Sequence, residues 1–211
     1  MTNFIPLFPL ALVVFPEEQL NLHIFEPRYK QLITDCYAQK KPFGIPAVIH
    51  EKLAERGTLM EITEITQVYD DGKMDIKTKG ICTFKILELI KNLPEKLYGG
   101  AIVSYPPNYA NGKANLMQQV LLGIRQLHEN LGVRKQFGKP DEALQSFDVA
   151  HHLGLKLEEE YQLLEYDQEI HRQEYLKRHL ATVLPVMQEM SALQQKIKLN
   201  GHFKNLEGFN L

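Results

Sequence analysis

The sequence predicts an α+β fold: a β-rich N-terminal domain over residues 1–110, then a C-terminal α-helical bundle over 111–200. Three observations carry this. Met74, Ile76, Thr78, Cys82, Phe84 and Ile86 keep a period of two, as a half-buried strand does. Just before them, Asp70-Asp71-Gly72 is a strong hairpin signal, with glycine supplying a positive φ at little cost. After Pro106-Pro107-Asn108 and Asn111-Gly112 the apolar period becomes helical, which places the domain boundary there.

The elements follow in order. Leu10–Phe15 and Leu20–Phe25 are short apolar segments separated by the turn-like Pro16-Glu17-Glu18, and Leu20, Leu22 and Ile24 alternate with polar neighbours. A helix begins at Glu26-Pro27, because proline in the first turn lacks only an N–H that the helix would not use, and glutamate suits the positive end of the dipole. Tyr29, Leu32, Ile33, Cys36 and Tyr37 form its apolar stripe, and Lys40-Lys41 suit its C-terminal end. Phe43–His50, Gly57–Tyr69, Lys73–Ile90 and Leu97–Tyr105 read as further strands, with Gly80 marking a bulge.

In the second half, Leu116, Met117, Val120, Leu121, Ile124, Leu127 and Leu131 make one amphipathic stripe that ends at Gly132, a natural residue just past a helix end. A second helix is expected over Glu142–Leu153 and a third over Glu158–Tyr166. Asp167 is expected to cap a long fourth helix, with Leu176, Leu180, Val183, Met187 and Met190 on its apolar face and a kink at Pro185. Residues 201–211 read as a flexible or docked tail.

Composition narrows the function. With 211 residues, 44% hydrophobic and 24% charged, the chain is long enough to bury roughly 70% of its unfolded surface and needs no disulfide. A net charge of −2 gives no field to gather phosphate backbones, so nucleic acid is disfavoured. The apolar run from Phe4 to Phe15 lacks a cationic start, is interrupted by Pro6 and Pro9, and is too short to span a bilayer. No membrane association and a cytoplasmic location are expected. Cys36 and Cys82 fall in apolar patterns and read as free core thiols.

No catalytic centre, cofactor or metal site is expected. The Gly-Lys pairs at Gly72, Gly112 and Gly138 are followed by Met74, Ala114 and Pro140, so none supplies the hydroxyl that a phosphate-binding loop places on magnesium. Ser104, Ser146 and Ser191 lack the context of an activated nucleophile. His151, His152, His171 and His179 lack the spacing of a zinc site and read as solvated or capping. The candidate binding residues are Phe25, Glu26, Arg28 and Tyr29, where a helix start leaves charges beside apolar surface. Glu26 as a cap and Arg28 as a snorkelling side chain remain the alternative. Phe4, Leu7, Phe8, Leu12 and Phe15 suit a core more than a ligand surface.

Pro6-Leu7-Phe8-Pro9-Leu10, Val14-Phe15-Pro16 and above all Phe25-Glu26-Pro27-Arg28-Tyr29 resemble the opening of the Lon protease substrate-binding domain. Gly57-Thr58 and the strand around Gly80, Ile81 and Phe84 are similar to further family positions, with Thr83 where arginine is usual. Ala150-His151-His152-Leu153-Gly154-Leu155 and Leu157-Glu158-Glu159-Glu160 resemble the family's small C-terminal helices. Glu17 stands where the family commonly has glycine, which predicts a differently shaped turn. The resemblance implies a PUA-like pseudobarrel joined to a helical bundle. It also implies a noncatalytic module that holds exposed apolar segments of unfolded or target polypeptides; because two or three such anchors bind only weakly, self-association into a homo-oligomer or avidity from a partner such as a protease is expected. Two other functions stay open: RNA binding by a PUA-like fold, through Lys73, Lys77, Lys79 and Lys85, and an adaptor that docks on a protease through Met117, Met187 and Met190.

Overall fold

The computed structural model describes residues 3–204, with side chains described through 197 except those of Ser191, Gln194 and Gln195. By contact the chain forms two compact units, one of residues 1–110 with 154–169, the other of 111–153 with 170–211. The sequence places 154–169 within the helical bundle, whereas by contact this segment belongs with residues 1–110.

The first unit is built on β1 (Asn3–Pro6), β2 (Gln19–Ile24), helix α1 (Pro27–Gln39), β3 (Phe43–Ile49), β4 (Lys52–Val68), β5 (Met74–Ile90) and β6 (Gly100–Ser104). Its antiparallel sheet has the order β1-β6-β5-β4-β3, and β2 pairs with β5 off this path. The strands themselves do not close into a barrel. Two isolated parallel bridges, Leu7 with Gly44 and Leu10 with Ala47, span the gap between the segment after β1 and β3. The apolar segment Leu10–Phe15 forms no strand. It is a strap whose Val13, Val14 and Phe15 are buried.

Helix α1 starts where the sequence places it, with Glu26 as N-cap residue and proline in the first turn, and it ends at Lys40 in the left-handed conformation, φ 51°. Tyr29, Leu32, Ile33 and Cys36 are buried, and they pack with Phe8, Phe43, Met60 and Ile76 in the main core. Each of the fully buried pair Leu32 and Ile33 contributes roughly 1.5–3 kcal/mol. Tyr37, expected on the same stripe, is 49% exposed, because it lies at the stripe's edge in the last turn. A second cluster of Ile5, Leu7, Leu59, Phe84, Ala101 and Val103 fills the other part of the sheet.

Two turns shape this sheet. The expected hairpin has Gly72 at φ 74°. The β3–β4 hairpin instead turns on His50 and Glu51, both with positive φ, as a two-residue turn matched to strand twist requires. Neither residue advertises such a turn, so residues 52–56 carried no strand signal. In β5 the register jumps between Leu59–Cys82 and Met60–Gly80, leaving Ile81 as the extra residue, the bulge that Gly80 announced.

The strap crosses β5 at this bulge. Glu17 N–H donates to the Gly80 carbonyl, and Gly80 N–H donates to that of Glu18. A Cβ on Gly80 would lie 2.5 Å from the Phe15 oxygen, and one on Gly57 would lie 2.3 Å from the Ile45 oxygen. The buried Thr58 hydroxyl donates to the Val14 carbonyl, and Thr58 faces Thr83 across the β4–β5 pairing. Glu17 adopts φ 67°, so the turn keeps a left-handed residue although glycine is absent. Its carboxylate meets Lys79 at 2.6 Å.

Also in this unit, α4 (Leu157–Glu165) buries Leu163 and Leu164. Arg56 links it to β4: its N–H donates to the Tyr161 hydroxyl, and its guanidinium binds Asp167 at 2.8 Å. Asp167 was expected to cap the last helix. Its carboxylate binds the guanidinium instead, a charge-assisted partner stronger than a neutral N–H.

The second unit holds α2 (Ala114–Asn130), a 3₁₀ turn (Asp141–Ala143), the four-residue α3 (Ser146–Val149), a 3₁₀ turn (Ala150–His152) and α5 (Glu169–Lys204). The helix expected over Glu142–Leu153 is therefore broken. The Gln145 N–H is taken by the Asp148 carboxylate at 2.9 Å, which starts a new helix at Ser146. Leu131, expected on the α2 stripe, is 53% exposed, as it lies beyond the last turn. Helix α5 continues through Pro185, which cannot donate to the Ala181 carbonyl. The tail expected from 201 begins as helix up to Lys204, and 205–211 lie outside the described residues.

Candidate functional site

One face of the first unit holds a cleft of about 270 Å³, lined among others by Leu7, Arg28, Tyr29, Leu53, Leu89 and Leu97. Its floor comes from the main core, since Tyr29 stacks on Phe8 with ring centroids 4.0 Å apart. Its rim is the connection from β5 to β6. Two α1 residues one turn apart clamp that connection. Gln31 accepts from the Leu97 N–H at 2.7 Å and donates to the Glu95 carbonyl, while Asp35 accepts from Lys96 at 2.7 Å and from the Tyr98 hydroxyl at 2.8 Å.

The electrostatics follow from these bonds. The Lys96 ammonium, with help from the Tyr98 hydroxyl, holds the Asp35 carboxyl below the ordinary carboxylate range. Burial and the Asp35 bond push the Tyr98 phenol up, so it stays a neutral donor. With the loop held this way, Leu97 is 65% exposed, beside Leu89 at the end of β5, which is 44% exposed. Two large apolar side chains thus face solvent at the mouth of an apolar cleft.

Of the four sequence-predicted residues, the cleft brings together Arg28 and Tyr29 and leaves Phe25 and Glu26 outside its lining. The Arg28 guanidinium lies over the Tyr29 ring, 4.5 Å from its centroid, and donates to Glu26 at 2.8–2.9 Å. Glu26 makes no side-chain cap bond. It orients the arginine instead. Phe25 is exposed and stacks near His23, whose ring also meets Tyr69 edge-on. Leu89 and Leu97 were read only as strand positions. The Pro94-Glu95-Lys96 and Gly99-Gly100 flanks of Leu97 were the one available sign that it sits on a loop.

Burial raises the Cys36 thiol to about 11, so it is un-ionised at neutral pH and a poor nucleophile. His128 and His179 rings bond the carbonyls of His152 and Leu153, and no group of three metal-ligating side chains occurs among the described residues. No helix among them is long and apolar enough to cross a membrane.

The first unit is thus an antiparallel β unit with a helix-clamped apolar cleft, an α+β arrangement. The family model for the ATP-dependent protease La (LON) substrate-binding domain matches residues 5–182, and the chain belongs to that family. Two solved structures share the fold. A Lon N-terminal domain protein from Xanthomonas campestris is 23% identical, with 82% of this chain and 96% of that one covered and a TM-score of 0.64. The N-terminal domain of the Mycobacterium avium complex Lon protease is 13% identical, with 85% and 98% covered and a TM-score of 0.62.

Proposed function

We propose that this chain is a noncatalytic module that captures exposed apolar segments of unfolded or target polypeptides in the cleft beside α1. The observation that carries this is the pair Leu89 and Leu97, exposed at the mouth of a cleft floored by Tyr29. An incoming apolar side chain enters between them, and Arg28, steadied by Glu26, meets a backbone carbonyl or carboxylate of the same segment. Phe25 extends the apolar surface around the helix start. The bridged gap between the first strand and β3 supports reading the sheet as a pseudobarrel. The two free thiols support a reducing, cytoplasmic setting.

Each captured anchor contributes roughly 1.5–3 kcal/mol, against an association cost of about 4 kcal/mol or more. One cleft therefore gives weak, promiscuous binding that gains from multivalency. RNA has less support. Lys73, Lys77, Lys79 and Lys85 are matched by Asp71, Glu64, Glu17 and Glu55 at 2.6–3.3 Å, which leaves no free basic stripe among them. Fluorescence anisotropy with a labelled, reduced and unfolded protein tests the proposal. Saturable binding weakened by Leu97→Asp is expected, and no signal at high micromolar concentration overturns it.

A further inference from the structure

The second half of α5 carries an apolar stripe that nothing described covers. Val186, Met190, Leu193 and Ile197 are 53%, 52%, 59% and 62% exposed, and their spacing of four, three and four residues is that of a coiled-coil seam. A helix 36 residues long thus presents four consecutive seam layers over roughly 17 Å, with Pro185 off the seam.

The flanking charges identify what fits it. Glu189 and Lys196 immediately precede Met190 and Ile197, so both occupy the seam position that in antiparallel pairs faces its own counterpart. We propose that the stripe pairs antiparallel with the same stripe of a second copy, about a two-fold axis between Met190 and Leu193. Met190 then packs on the partner's Leu193, and Val186 on the partner's Ile197. In this register Glu189 meets the partner's Lys196 twice, once on each side of the axis, as an isologous interface requires. A parallel pair brings neither charge opposite its complement.

Four layers make a short seam, so the dimer is reversible and concentration-dependent. Sedimentation equilibrium on the full chain, from micromolar to millimolar, reads it. A monomer–dimer equilibrium is expected, with the association constant lowered about tenfold or more by Leu193→Glu. Glu189→Lys and Lys196→Glu should each weaken it, and the double exchange should restore it. Unchanged circular dichroism establishes that the variants fold, as expected for exposed positions. A monomer throughout the range overturns the proposal, as does a dimer indifferent to Leu193→Glu. Single charge reversals without effect overturn the antiparallel register. Leu97→Asp should leave the dimer intact, which separates this result from that of the cleft.

Discussion

The strap crossing and the cleft lie in the same unit and use their residues in opposite ways. At the crossing, Thr58 and Gly80 are buried against strap backbone, Gly57 beside them is buried against β3 backbone, and all three belong to stretches that resemble the family. At the cleft, Leu89 and Leu97 are exposed, contact little, and belong to no motif. The difference teaches that recognisable spacing reports where two stretches of backbone come too close for any other side chain. A surface that takes varied apolar segments needs only size and exposure, which leave no pattern. Arg28 and Tyr29 connect the two cases, since their motif both starts a helix and floors the cleft.

The sharpest way to break this comparison is Gly57→Ala. The new Cβ meets the Ile45 oxygen at 2.3 Å and the Pro46 Cα at 2.6 Å, and backbone cannot swing aside, so a loss of about 3 kcal/mol or more is expected in urea unfolding. Next, Thr58→Val should cost about 1–3 kcal/mol by leaving the Val14 carbonyl buried without its donor. At the cleft, Leu97→Asp should reduce affinity for an unfolded polypeptide about tenfold, or 1.4 kcal/mol. Its melting temperature should barely move, as for most surface substitutions. If it unfolds the chain instead, the cleft rim is architecture too.

The smallest effect concerns the loop clamp. The Asp35 pKa is depressed in the folded chain, while the unfolded value is roughly 3.9. Between the two the unfolded state binds more protons, so stability rises with pH in that window. The clamp's contribution is complete above roughly pH 4 and disappears as the pH falls through the folded value. Urea melts from neutral to strongly acidic pH should show a shallower acid decline for Asp35→Asn than for the parent chain.

Where local chemistry decided the outcome, the sequence was a good guide. Pro27 started α1, Gly72 turned a hairpin, and Gly132 followed α2 with φ 66°. Where tertiary partners decided it, the guide failed. Arg56 diverted Asp167 from its cap, Asp148 restarted a helix at Ser146, and His50-Glu51 turned without glycine. Half the candidate site was visible, because Arg28 and Tyr29 lie in a helix-start motif. Leu89 and Leu97 were not: Leu89 is a β5 residue whose exposure strand alternation does not reveal, and only the Gln31 and Asp35 clamps turn the apparent strand at Leu97 into a rim. Met190 had been placed on the core-facing stripe of the last helix, yet it is 52% exposed, because periodicity reports an apolar face without saying whether anything lies against it.

The segment 154–169 has a practical bearing on how this molecule is dissected. Tyr109 receives a hydrogen bond from Glu169 and gives one to Asp167, so the polypeptide leaves the first unit twice at the same spot. A fragment ending near residue 110 would lose the Asp167 counterion of Arg56 and the helix bearing Leu163 and Leu164. The complementary fragment would carry those same leucines stripped of their packing. Any experiment that assigns a property to half of this chain should splice along contacts, joining 1–110 to 154–169 through a short linker, rather than cut once.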